Sequence, residues 1–208
     1  MKKHVKHILD LPSSGCGAIL FILAISLFLG FIGGCVLADH VNGEGTMALE
    51  KYLDGYVALI YSGEISTPGF INLFWDLFRW PLFIFFLGIT PLGLLGIPIV
   101  LLIRGFLLSF TVASLFRVLG YFGLGFSFVT FGITGFIYIP ALLFFGVNCF
   151  FASGLIAERL TNEGTKSNVL GYSFLFRCIL CVFVFVLCLL IKHQIIPELL
   201  GLIIDAFA

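Results

Sequence analysis

From Trp80 to Ile103 the chain carries no charged residue, yet Pro91, Gly93, Gly96 and Pro98 fall inside that run. The run is long enough to cross a bilayer core of about 30 Å at about 1.5 Å per helical residue. A helical Pro91 leaves the carbonyl of Leu87 without its donor, and Pro98 does the same to Leu94. In lipid, each freed backbone group costs several kcal/mol unless protein or water meets it. The pattern therefore predicts a broken span over 80–103, kinked or unwound at Pro91–Pro98 and packed among other helices.

The rest of the chain has the same solvent preference. Hydrophobic residues make up 61% of the 208 positions and charged residues 11%, against about a quarter in soluble domains. Mean hydropathy is +1.19. The expected fold is all-α, a polytopic membrane bundle of about five spans. Formal net charge is +0, which gives no basis for nucleic-acid binding.

In chain order, residues 1–15 form a lysine-bearing tail, cytoplasmic by the positive-inside rule. Span 1 covers 16–38, where Ser26, Gly30 and Gly34 recur every four residues as a small-residue stripe suited to close helix packing. Residues 39–79 hold six acids (Asp39, Glu44, Glu50, Asp54, Glu64, Asp76) against Lys51 and Arg79, which suits an extracytoplasmic loop. Two amphipathic segments lie in that loop and predict interfacial helices. Tyr52 and Tyr56 belong to the first, Phe74 and Trp75 to the second, and these four are the candidate partner-docking residues. Span 3 is expected over 104–119, with Arg104 and Arg117 snorkelling to opposite faces. Gly120, Gly123 and Gly125 predict a turn. Span 4 covers 126–157, interrupted at Pro140. A cytoplasmic loop follows over 158–170, then span 5 over 171–191. The tail 192–208 is too short to span and reads as an extracytoplasmic interfacial helix.

Chemistry is sparse at membrane depth. No aspartate or glutamate lies between Asp76 and Glu158, and no histidine between His40 and His193. Intramembrane hydrolysis needs a nucleophile with its base, paired carboxylates or a ligated metal. Ion-coupled transport draws on a buried carboxylate or histidine. No catalytic residue, metal site or cofactor is expected. Cys178 and Cys181 have the spacing of half a metal site without a second half, and read as packing residues. Arg104 reads as a cationic anchor that lysine could replace.

One resemblance covers the chain from span 1 to about Ala152. Leu87-Gly88-Ile89, Gly93, Gly96-Ile97-Pro98, Arg104-Gly105 and Phe110-Thr111-Val112, with Tyr52-Leu53 and Gly63 ahead of them, resemble the core of the stage II sporulation protein M family. The chain departs from the family in Phe131–Gly135 and in Ser109, where glycine is common. The resemblance implies a multi-pass protein of the cell membrane, concentrated at the sporulation septum. It implies membrane-anchored peptidoglycan-degrading partners, acting in septal thinning and engulfment of the forespore, with this chain anchoring and localising them. Membrane lipid is a further partner, and a homo-oligomer fits the same reading. On the residues alone, a small-molecule or lipid channel built on discontinuous helices is the alternative.

Overall fold

The computed structural model describes residues 16–40, 70–161 and 172–207. Among them every element is helical. α1 is Cys16–His40, α2 Phe70–Gly88 and α3 Gly93–Ser127. A π-helical turn, Phe128–Gly132, leads into α4, Ile133–Thr161, and α5 is Tyr172–Phe207. Five segments are long and apolar enough to cross a membrane: Cys16–His40, Ile71–Gly88, Gly93–Arg117, Gly123–Leu160 and Phe174–Gln194. The all-α polytopic bundle stands.

The boundaries differ from the expected ones, for identifiable reasons. The 80–103 run is not one broken span. It is the second half of α2, a turn at 89–92, and the first part of α3. Pro91 sits in the turn, exposed, where its missing N–H is not needed by any helix. Polar backbone atoms of the turn are met locally. Thr90 N–H donates to the Leu87 carbonyl at 3.0 Å, Gly93 N–H to the Thr90 carbonyl at 3.2 Å, and the Thr90 hydroxyl to Leu87 at 2.9 Å. Ser153 of α4, fully buried, donates its hydroxyl to the Thr90 carbonyl at 2.7 Å.

The second amphipathic segment is likewise not a separate interfacial helix. From Phe70 onward it is continuous with the span through Pro81, so Phe74 and Trp75 lie on α2. The tail 192–208 also corrects. Through Phe207 it extends α5, whose 36 residues reach about 54 Å at 1.5 Å per residue, well beyond a bilayer core. Span 4 begins earlier than 126, and helix persists through Thr161 into the expected 158–170 loop. The tail 1–15, the loop as far as residue 69 with Tyr52 and Tyr56, and residues 162–171 lie outside the described residues.

Between spans 3 and 4 the reversal rests on Gly120, the one described residue with positive φ (φ 58, ψ −136). Thr111 and Thr134 line one cavity although a straight helix would set them about 35 Å apart, so the chain folds back there.

Packing is tightest between α1 and α3. A Cβ on Gly30 would strike the carbonyl of Leu102, and one on Gly34 the Phe106 carbonyl and Ser109 Oγ. Reciprocally, a Cβ on Gly105 would strike the carbonyl of Leu27. In lipid, helices gain little from hiding apolar surface from each other, so close contact and dispersion hold the pair. Around this pair Leu23, Ile84, Ile97, Leu101, Leu142 and Phe185 form a buried core. Phe185 of α5 packs edge-on against Phe145, with ring centroids 5.9 Å apart. Outward-facing Phe21, Phe28, Phe83 and Phe183 are exposed, as a lipid-facing surface requires.

Candidate functional site

Of the residues that carry the family resemblance, Leu87, Gly88, Ile89, Gly93, Gly96 and Pro98 lie at or beside the α2–α3 turn, whereas Arg104, Gly105, Phe110, Thr111 and Val112 lie further along α3. Gly88 is buried against α4, where an added Cβ would lie 2.7 Å from Cys149 Cβ and 3.1 Å from its Cα. Gly93 abuts the Leu87 carbonyl and lies near Ser153 Oγ, and Gly96 abuts the Leu87 side chain. Pro98 lies inside α3, one turn past its start, and Pro140 inside α4. With Gly30, Gly34 and Gly105 already used between α1 and α3, the small-residue stripe is occupied within one chain.

Arg104 is the main correction. It was expected at the inner membrane face. Because α3 starts at Gly93, Arg104 instead sits near the middle of the Gly93–Arg117 span, about 17 Å along it. Its guanidinium lies 5.5 Å from the Trp80 ring centroid and 5.7 Å from that of Tyr138. At those distances the ring faces attract a cation. An arginine at this depth is costly unless other groups in the bundle compensate it, and such residues are usually functional.

Arg104 opens onto a cavity of about 220 Å³ between α2, α3, α4 and α5. Its wall includes Asp76, Arg79, Arg104, Lys192, Thr130 and Thr134. Asp76 is shared by two cations, Lys192 Nζ at 3.1 Å and Arg79 at 3.5 Å. Three cations against one carboxylate leave the wall with a net charge of +2. Several donors are buried without a partner among the described residues: Arg79 Nε, Arg104 Nε, Thr130 Oγ1 and Thr134 Oγ1. Thr134 is only 6% exposed.

Beside this cavity lies an apolar groove of about 590 Å³, lined by Val112, Leu124, Phe128, Phe136 and Ile139 among others. Leu108, Phe131 and Gly135 line both.

Arg117 has a different task from the expected anchoring. It donates to the carbonyls of Ala38 and Asp39 at 2.8 and 3.0 Å, meeting free acceptors at the α1 C-terminus, where the helix dipole favours a cation. Phe74 and Trp75 are exposed on α2 (41% and 63%). Cys149, Cys178, Cys181 and Cys188 are buried, and the described cysteines form no disulfide.

Sequence reasoning missed Asp76, Arg79, Lys192, Thr130 and Thr134 as one cluster. The local signals were Asp76 three residues before Arg79 and Thr130 four before Thr134, and nothing local joins these two pairs to each other or to Lys192. No protein-family model, curated protein or solved structure matches this chain.

Proposed function

We propose that this chain is a non-catalytic multi-pass scaffold of the cell membrane, with its N-terminus in the cytoplasm and its C-terminus outside. In the role implied by its resemblance to the stage II sporulation protein M family, it gathers membrane-anchored peptidoglycan-degrading partners at the septum for septal thinning and engulfment. What supports a scaffold over the channel alternative is the environment of the family-like residues. Gly88, Gly93 and Gly96, with Thr90 between them, are taken up by contacts with Leu87, Cys149 and Ser153, and the Pro91 break is a turn between two helices. A channel built on discontinuous helices needs unwound backbone free to coordinate a solute at that break.

The exposed Phe74 and Trp75 are the described part of the proposed docking surface. Photo-crosslinkers placed at these two positions in the native host should capture cell-wall hydrolases. Crosslinks confined to lipid and to the chain itself would remove the scaffold reading.

A further inference from the structure

We propose that the cationic cavity holds the phosphate head of an anionic lipid whose hydrocarbon chain lies in the adjoining apolar groove. The inference does not depend on the scaffold reading.

Charge comes first. Asp76 already serves Arg79 and Lys192, and no ion pair to Arg104 occurs among the described residues. Ring faces attract the guanidinium but accept none of its N–H groups in the way an anionic oxygen does. Half-buried and near the middle of its span, Arg104 lies where an uncompensated cation is least tolerated.

Donor geometry comes second. Arg79 Nε, Arg104 Nε and the Thr130 and Thr134 hydroxyls are buried and unmet from three helices, and all four residues line the cavity. One planar carboxylate cannot present oxygens to so many directions, whereas a phosphate can, and guanidinium forks match its edges. The volume of about 220 Å³ equals roughly seven waters at about 30 Å³ each, which admits a phosphate with a few waters.

The groove decides the source of the phosphate. It is apolar, more than twice the cavity's volume, and adjoins it, with Leu108, Phe131 and Gly135 lining both. Free phosphate would leave it unused, whereas a phospholipid fills both compartments at once.

The test uses the full chain, purified in a neutral detergent, and native mass spectrometry with phosphatidic acid, phosphatidylcholine and inorganic phosphate. Wild type should bind one phosphatidic acid at least tenfold more tightly than phosphatidylcholine, and inorganic phosphate far more weakly than either. Arg104→Gln and the double variant Thr130→Val/Thr134→Val should each weaken phosphatidic acid by about tenfold, the loss expected for hydrogen bonds to a charged group. Arg159→Gln, at an exposed position near the end of α4 and away from the cavity, should bind like wild type. Arg104→Lys should recover only part of the affinity, because it keeps charge but not the fork. Inorganic phosphate binding as tightly as the lipid would replace this proposal with a free-anion site. Equal binding of both lipids, or an unchanged threonine double variant, would overturn it even if Arg104→Gln failed to fold.

Discussion

The Tyr138 hydroxyl donates a 2.9 Å hydrogen bond to the carbonyl of Leu77, the same carbonyl that Pro81 deprives of its helical donor. Leu77 lies four residues before Pro81, and proline has no N–H to offer. Tyr138 is 2% exposed, so the bond is buried. A cross-helix hydroxyl thus repairs a break in α2 and ties α2 to α4.

That relationship predicts a coupled pair. Tyr138→Phe should lower stability by about 1–3 kcal/mol, the cost of an unmet buried acceptor. In a Pro81→Ala background, where residue 81 can again donate to Leu77, the same change should cost markedly less. Reversible unfolding in mixed micelles, run as a double-mutant cycle, measures the difference. Equal non-zero costs in both backgrounds would show that the hydroxyl's contribution does not depend on the Pro81 break, and no cost in either would leave ring packing on Phe185, 5.4 Å away, as what Tyr138 supplies.

Glycines in α1 should separate sharply by position. Gly30→Ala places a methyl against the Leu102 backbone, so α1 and α3 must part, at a cost of about 1–3 kcal/mol. Gly33→Ala meets only the Phe106 ring at 3.7 Å, and Gly17→Ala meets nothing within 4 Å. Both should keep normal membrane abundance, or gain slightly from helix propensity. Abundance by quantitative immunoblot ranks the three, and a harmless Gly30→Ala would remove the close α1–α3 approach.

How much of this was legible follows from the kind of information each feature uses. The spanning character of the chain is local, since a long apolar run must be satisfied in lipid whatever its neighbours do. The Ser26–Gly30–Gly34 stripe is also local, being a helical period. Where a span ends is less so. Pro91 and Pro98 announced a break, but a kink and a turn share the same proline signal. Choosing the turn required knowing that Ser153, far along the chain, caps the Thr90 carbonyl. Misplacing that end displaced Arg104 from mid-span to the membrane face. The cavity was illegible for the same reason, because Asp76, Arg104, Thr134 and Lys192 meet only after four helices have packed.

The α2–α3 turn makes a further prediction about which glycine matters more. At Gly88 the obstacle is Cys149, including its Cα, so relief requires moving α4. At Gly96 the obstacle is the Leu87 side chain, which can change rotamer. Gly88→Ala should therefore lower folded membrane protein more than Gly96→Ala does. Gly96→Leu, by contrast, should fail like Gly88→Ala because its bulk exceeds what Leu87 can yield. Thr90→Val should be near neutral in abundance, since it removes only the bond to the Leu87 carbonyl, which Thr90 N–H also meets. Full abundance with lost function in Thr90→Val would count against a purely structural turn.

Gly120 offers the cleanest separation of backbone strain from packing. Its φ of 58 and ψ of −136 lie where L residues meet their own carbonyls, and that conformation lets span 3 fold back onto span 4. Nothing stands within 4 Å of a Cβ built there, so an alanine meets no neighbour and its cost is conformational alone. Gly120→Ala should destabilise by about 1–3 kcal/mol, the usual cost of holding a side-chain-bearing residue in such a region. Asparagine, which rescues many left-handed positions near ψ of about +47, should not rescue this one, because ψ is on the other side of zero. Micelle unfolding of the alanine and asparagine variants against Gly125→Ala, another open position, makes the comparison. If Gly120→Ala matched Gly125→Ala, the reversal would not depend on the Gly120 backbone, and the groove between spans 3 and 4 would need another origin.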